Sequence, residues 1–315
     1  MNNQFLPNNP RVLFIGSDHM EDQAQLKQPI QGAFYNGFEE AGLQSDYASL
    51  EEAVELFRPD LAVIGVPNYR KNRPACESYL IRRKIPVLIQ KFRLADHGDF
   101  TAILEEAERE CTPVFVGEFY RYHPSVAAVR RLIEDGSVGE PEFLQWTCRI
   151  GGNEHGAWEA AYGDLALEDL AFHHFSAIEA MMGLEVDDVY SVSRTAQKGM
   201  PSRGTVSATA MTTKRGCLIS HVIDWHAAMR ETGYFGEFVL EGSRGGVSLE
   251  GESLYYRPWD GGQVEIPLAA PDKSTALEHL LGPEGDPVTI QRFAGVMEAL
   301  GRALSCSTEE KERFS

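Results

Sequence analysis

Through the first 120 residues, short apolar runs alternate with stretches whose apolar residues recur at helical spacing. RVLFIG (11–16), LAVIGV (61–66), PVLIQ (86–90) and PVFVGEF (113–119) are β-branched runs without polar alternation. A strand covered on both faces reads this way, so these runs predict a parallel sheet. Between them, SLEEAVELF predicts a helix with Ser49 and Glu52 at capping-box spacing, and DFTAILEEAERE, from Asp99, predicts another. After the first strand, GAFYNGFEEAGLQSDYASLEEAVELF reads as one helix passing through a short connection into the next. Two readings stand there: no second strand, or a short strand formed by LQSDYA, with Asp46 the nearby acid.

From about residue 140 the period changes to two. FLQWTCRI, DVYSVSR, TVSATAMTT, CLISHVIDW, FVLEGS and GVSLEG are strand-like, several with period-two alternation, and glycine-rich turns such as DGG at 260–262 divide them. Alternation leaves one face to pack and one open, which predicts an antiparallel sheet. GDLALEDLAFHHFSAIEAMMG (163–183) and RFAGVMEALGRALS are the helical stretches of this half. The expected architecture is a Rossmann-like α/β domain over 1–122, followed by an α+β domain over 123–315 with an open-faced, mostly antiparallel sheet.

Net charge narrows the partners. At −18, with 47 acidic and 29 basic residues, the long-range field repels phosphate backbones and anionic lipid, so neither nucleic acid nor membrane is expected. Five scattered cysteines without metal spacing fit reduced thiols, and the polar, proline-broken start MNNQFLPNNP lacks the apolar core of a signal peptide; a cytoplasmic location is expected.

The candidate chemistry lies at strand ends and on one helix. Ligands of open α/β sheets bind beyond the carboxyl ends of the strands. Lys91 directly follows an apolar strand, where its ammonium either polarises a carbonyl or opens a solvated loop. Asp169 and His173 stand four apart on the 163–183 helix, which puts them on one face and makes His173 an acid/base candidate or one half of a helix-surface pair. His173 and His174, about 100° apart, do not make a two-histidine metal site. Arg70, Lys71 and Arg73 either grip an anionic substrate or cap a helix. Trp225, His226 and Arg230 either line a sugar pocket or edge the sheet.

The order of a degenerate FIG turn, LAVIGVPN, VLIQKF, GEFYRYHPSVAAVRRLIEDGSVGEP and DLAFHHFSAIEAMMG resembles the Gfo/Idh/MocA oxidoreductases across almost the whole chain. The resemblance implies NAD or NADP as cofactor and a sugar, cyclitol or related polyol as substrate, with homo-oligomerisation through the C-terminal sheet. It implies Lys91, His173 and Asp169 as the catalytic group, and Gly16, Ser17, Pro67, Asn68 and Gln90 beside the cofactor. Trp158, Arg121 and Ser176 fall on the substrate side, although Arg121 and His123 mark a domain junction that in the family serves packing.

Gly16 keeps the first glycine of G-x-G-x-x-G, but the second and third fall on Asp18 and Glu21. A carboxylate close to a phosphate charge costs about 1 kcal/mol in water and roughly 4 at an effective dielectric near 20. Asp also caps a helix N-terminus by itself. Three readings therefore follow: a nucleotide-dependent dehydrogenase, a cofactor-free lyase, epimerase or isomerase that keeps the proton-handling pair, and a non-catalytic partner protein.

Overall fold

The computed structural model describes residues 6–16, 30–35, 45–65, 73–89, 97–151, 159, 162–195, 204–270, 276–282 and 288–313. They form two compact units, Met1–Glu118 with Lys273–Arg292, and Phe119–Asp272 with Phe293–Ser315.

The first unit is a parallel sheet. β1 (Arg11–Gly16), β3 (Leu61–Gly65), β4 (Val87–Ile89) and β5 (Val114–Val116) are the apolar runs, and nearly all their residues are buried. β2 (Gln31–Tyr35) completes the order β2-β1-β3-β4-β5. It corrects the helical reading of GAFY: Arg11 pairs with Gln31 and Ile15 with Tyr35, in parallel register. Only Ala33 of this edge strand is buried, so it carries no continuous apolar run to betray it. LQSDYA contributes a clamp to this edge. Asp46 N–H donates to Phe34 O at 2.9 Å and Phe34 N–H donates to Asp46 Oδ2 at 2.8 Å, closing β2 where a ladder would be open.

Helices α1 (Leu50–Phe57), α2 (Arg73–Arg82) and α3 (His97–Glu110) alternate with the strands. Ser49 caps α1 as its spacing predicts, accepting from Glu52 N–H at 3.1 Å, while Glu52 Oε2 accepts from Ala48 N–H at 2.7 Å.

The second unit holds an eight-stranded sheet in the order β13-β12-β11-β10-β6-β9-β8-β7. Its strands are β6 (Pro141–Arg149), β7 (Val186–Arg194), β8 (Val206–Thr213), β9 (Leu218–Asp224), β10 (Glu237–Gly242), β11 (Gly245–Glu250), β12 (Ser253–Pro258) and β13 (Val264–Ile266). The pairings are antiparallel except β6 with β9, which run parallel from Phe143↔Leu218 to Arg149↔Asp224. Alternation sets the buried face, with Leu144, Trp146, Ile219, Phe238 and Leu240 wholly or almost wholly inside. α4 (Pro124–Glu134), α5 (Phe172–Met182) and α7 (Ala294–Arg313) are the long helices described in this unit, and α7 packs along β7.

The units do not follow the expected single boundary at 122/123. Residues 273–292 return to the first unit, because α6 (Ala276–Leu281) places Leu277 and Leu280 against Val12, Phe14, Leu61, Leu88 and Phe115. Val116 N–H donates to Val288 O at 2.8 Å, tying the returning chain to β5. Among the described residues, no helix is long and apolar enough to cross a membrane.

Candidate functional site

In the first unit, β2 lies on one side of β1 and β3 on the other, so the chain reverses its direction of winding there. Open α/β sheets bind their ligands at this switch point, beyond the strands' carboxyl ends. The two strand tips are Gly16 and Gly65, which are register partners. Gly16 has φ +88°, a conformation costly for any residue with a Cβ. Both tips therefore present bare backbone. Ser17, Pro67, Asn68, Gln90 and Lys91 lie outside the described residues, as do Asp18, Glu21, Arg70 and Lys71. Arg73, the described member of that cluster, is buried, and its Nε donates to Glu77 Oε1 at 2.7 Å within α2.

In the second unit the site helix starts with a turn its sequence does not announce. Ala166–Ala171 is π-helical and passes directly into α5. Such turns recur at functional sites because they shift the side chains that follow. The i, i+4 argument for Asp169 and His173 assumes a regular α-helix, whereas Asp169 lies in the π turn and His173 on the first turn of α5. Both are half-buried. The His173 ring lies 5.0 Å from Tyr120, 5.4 Å from Phe119 and 5.6 Å from Phe172 between ring centroids, an aromatic seat that restricts its orientation. The π turn is capped from within: Asp164 Oδ1 accepts from Leu167 N–H at 3.3 Å, and Asp164 N–H donates to Glu168 Oε1 at 2.9 Å.

His174 faces the other way. It is fully buried, with Nε2 2.9 Å from Tyr234 O and Nδ1 2.9 Å from His221 Nε2. A carbonyl only accepts, so His174 carries its proton on Nε2 and its Nδ1 accepts from His221. His221 Nδ1 is thereby an acceptor, and it has no hydrogen-bond partner among the described residues. Burial drives His174 down to about 3, with the Tyr234 carbonyl opposing and the His173 charge adding; burial likewise drives His221 well below the ordinary range. Sequence reading passed over this pair. The signal was the alternation of LISHVID, which turns Ile219, His221 and Ile223 to one face.

A family model described as "GFO/IDH/MocA C-terminal domain" matches residues 126–248. Over those residues the chain is similar to the C-terminal domain of that family. D-apiose dehydrogenase of Rhizobium rhizogenes is 25% identical over 170 residues, which is 53% of this chain and 48%, about half, of that protein's length. An oxidoreductase from Agrobacterium radiobacter, solved with NAD+, L-tartaric acid and magnesium, superposes with a TM-score of 0.80 at 14% identity, over 95% of this chain and 96% of that one. An inositol dehydrogenase homologue from Azotobacter vinelandii, solved with NADH and myo-inositol, gives 0.73 at 14% identity, over 98% of each chain. At such identities the structures show a shared fold: a Rossmann-like parallel unit and a mostly antiparallel C-terminal sheet.

Within the second unit, the substrate-side candidates separate. Trp158 lies outside the described residues. Ser176 is fully buried, and its Oγ donates to Phe172 O at 2.7 Å. Arg121 is buried too, paired with Glu179 Oε2 at 2.5 Å, donating to Ser176 O at 3.0 Å and lying 5.4 Å from the centre of the Phe293 ring. The polar atoms of both residues are engaged in packing contacts inside the domain. His123 serves as N-cap of α4, accepting from Ser125 N–H at 3.3 Å, and stacks on Phe235 at 3.8 Å. Trp225 is buried, Arg230 reaches both carboxylate oxygens of Glu237 at 3.1 and 2.9 Å, and His226 N–H donates to Asp224 Oδ1 at 3.0 Å.

The described rim of the first unit fits a dinucleotide in one respect that bears on binding. A diphosphate needs backbone it can approach closely, and glycines at both strand tips of the switch point supply it.

Proposed function

We propose that this chain is a pyridine-nucleotide-dependent oxidoreductase acting on a sugar, cyclitol or related polyol. The observation that carries this reading is the seat of His173: a half-buried imidazole held by three aromatic rings on the first turn of α5, behind a π turn, in a domain similar to that of this family. The relatives named above, a D-apiose dehydrogenase and an inositol dehydrogenase homologue, support the substrate class.

Gly16, Ser17, Pro67, Asn68 and Gln90 would hold the nucleotide, which when bound supplies or accepts a hydride at the substrate carbon. His173 takes the proton from the substrate hydroxyl in oxidation and returns it in reduction, with Asp169 its proposed partner. Lys91 is the second proton-handling residue that the family resemblance implies. Self-association through the sheet is part of the proposal, supported by the exposed Tyr190, Leu218, Val239 and Val264 on its strands, and sedimentation tests it.

Titration with NAD(H) and NADP(H), read by intrinsic fluorescence and melting temperature, is the deciding experiment. Ligand at about 100 Kd stabilises by about 2.7 kcal/mol, so a true cofactor gives a clear shift. No response at millimolar nucleotide overturns the proposal. Asp18 and Glu21, in the phosphate turn of the sequence, favour a second reading, a cofactor-free acid/base enzyme. That reading is selected if nucleotides fail to bind while Lys91→Ala and His173→Ala abolish turnover with the fold retained.

A further inference from the structure

The seat of His173 is backed by a second layer of rings. Tyr120, 5.0 Å from His173, lies 5.8 Å from His174 and 5.2 Å from Phe235 between ring centroids. Phe235 is itself stacked on His123 at 3.8 Å and lies 5.2 Å from Trp146. Residues 233–235 are a turn, so side chains hold them where a ladder does not. Trp146 Nε1 donates to Phe235 O at 2.9 Å, and His174 Nε2 donates to Tyr234 O at 2.9 Å. His174 therefore joins three elements. It rides on α5 next to His173, its Nε2 holds the 233–235 turn, and its Nδ1 accepts from His221 Nε2 on β9 at 2.9 Å. β9 is paired on both sides, with Trp146 and Thr209 the register partners of His221.

These two bonds leave the His174 ring one tautomer and one orientation. A flip about Cβ–Cγ puts ring carbons where the two nitrogens stand and breaks both bonds. Stability alone does not call for the arrangement: both rings are wholly buried, and His221 Nδ1 has no hydrogen-bond partner among the described residues. Two apolar side chains of the same volume avoid the cost of desolvating these nitrogens. What the pair adds is direction, because a hydrogen bond fixes an angle as well as a distance, whereas apolar surfaces slide. Direction is needed at this place. α5 follows the π turn Ala166–Ala171 without a break, and in such a turn the regular i→i−4 ladder that orients a helix start is interrupted.

We infer that His174 and His221 are positioning residues for His173: together they tie the first turn of α5 to β9 and to the 233–235 turn, and so hold the His173 imidazole in its aromatic seat. The inference rests on the acid/base role of His173, which both readings above share, and deepens it. It is tested on the full chain at pH 7.5 with diethylpyrocarbonate, which acylates neutral imidazole nitrogens, following the rate at His173 by peptide mass spectrometry. His174→Phe keeps a ring and removes both bonds, so the seat loosens and His173 reacts roughly fivefold faster or more. His174→Gln keeps a donor for the Tyr234 carbonyl and returns the rate to within about twofold of wild type. Glu179→Gln weakens α5 at Arg121 instead; it lowers Tm and leaves the His173 rate within about twofold. A folded His174→Phe with an unchanged rate overturns the inference, as does a His174→Gln that reacts as fast as His174→Phe. An equal acceleration in Glu179→Gln also overturns it, because the pair then only stabilises the helix. If His174→Phe does not fold, His221→Leu, which removes only the donor to Nδ1, decides in the same way. The assay uses no nucleotide, so its failure and the failure of the nucleotide titration are separate results.

Discussion

Acidification from pH 7.5 to 5.0 is expected to destabilise the second unit through its buried imidazoles. His174, pushed down to about 3 by burial, and His221, pushed well below 6.5, stay neutral when folded but take up protons when unfolded. The unfolded state thus binds more protons below pH 6.5, and stability falls as pH drops, until the folded pair itself begins to protonate. Each imidazole contributes about 1.4 kcal/mol per pH unit once well below its unfolded value, so by pH 5.0 each has cost about 2 kcal/mol and the pair about 4. For units of this size that lowers Tm by roughly 10 °C. His123, also depressed by burial, adds in the same direction. The depressed carboxylate Glu106 acts lower, because its contribution is present above its unfolded value of 4.5 and is lost only as pH falls through and below it. The window between pH 6.5 and 5.0 therefore belongs to histidines. Scanning calorimetry across it, in the wild type and in His174→Gln/His221→Leu, isolates the pair: the introduced glutamine keeps a donor for the Tyr234 carbonyl, and the variant loses about 4 kcal/mol of the pH-dependent change. An unaltered pH dependence in the variant, or a flat wild-type Tm across the window, refutes the reasoning.

Glu179→Ala strands the buried Arg121 guanidinium and costs about 3–5 kcal/mol in a denaturant titration, with Glu179→Gln milder. Gly204→Ala forces a Cβ at φ +61° to within 2.2 Å of the Asp164 carboxylate that caps the π turn; strain and cap loss together cost about 2–3 kcal/mol, visible as a lower Tm. Asp46→Ala removes one hydrogen bond from the edge of β2, costing about 1 kcal/mol and accelerating amide exchange at Phe34.

What the sequence determined by itself was whatever depends on neighbours along the chain. The unbroken apolar runs of β1, β3, β4 and β5 declared a doubly covered parallel sheet, and the alternation from FLQWTCRI onward declared strands with one buried face. Ser49 and Glu52 declared a helix start because a cap is a contact three residues long. His173 stood out for its place on the 163–183 helix and its likeness to a family motif.

Tertiary structure decided what depends on residues far apart. β2 is a strand only because β1 offers it a ladder, and Asp46 is an edge clamp only because Phe34 lies beside it, 12 residues earlier. Residues 273–292 join the first unit because Leu277 and Leu280 find that core. His174 and His221 stand 47 positions apart, and nothing local to either specifies that one must donate to the other. Arg121 is drawn into packing by Glu179 on α5. Local periodicity records which face of an element is apolar; the partner that face meets is chosen by the sum of burial and hydrogen bonding over the folded unit, a quantity no short stretch of sequence contains.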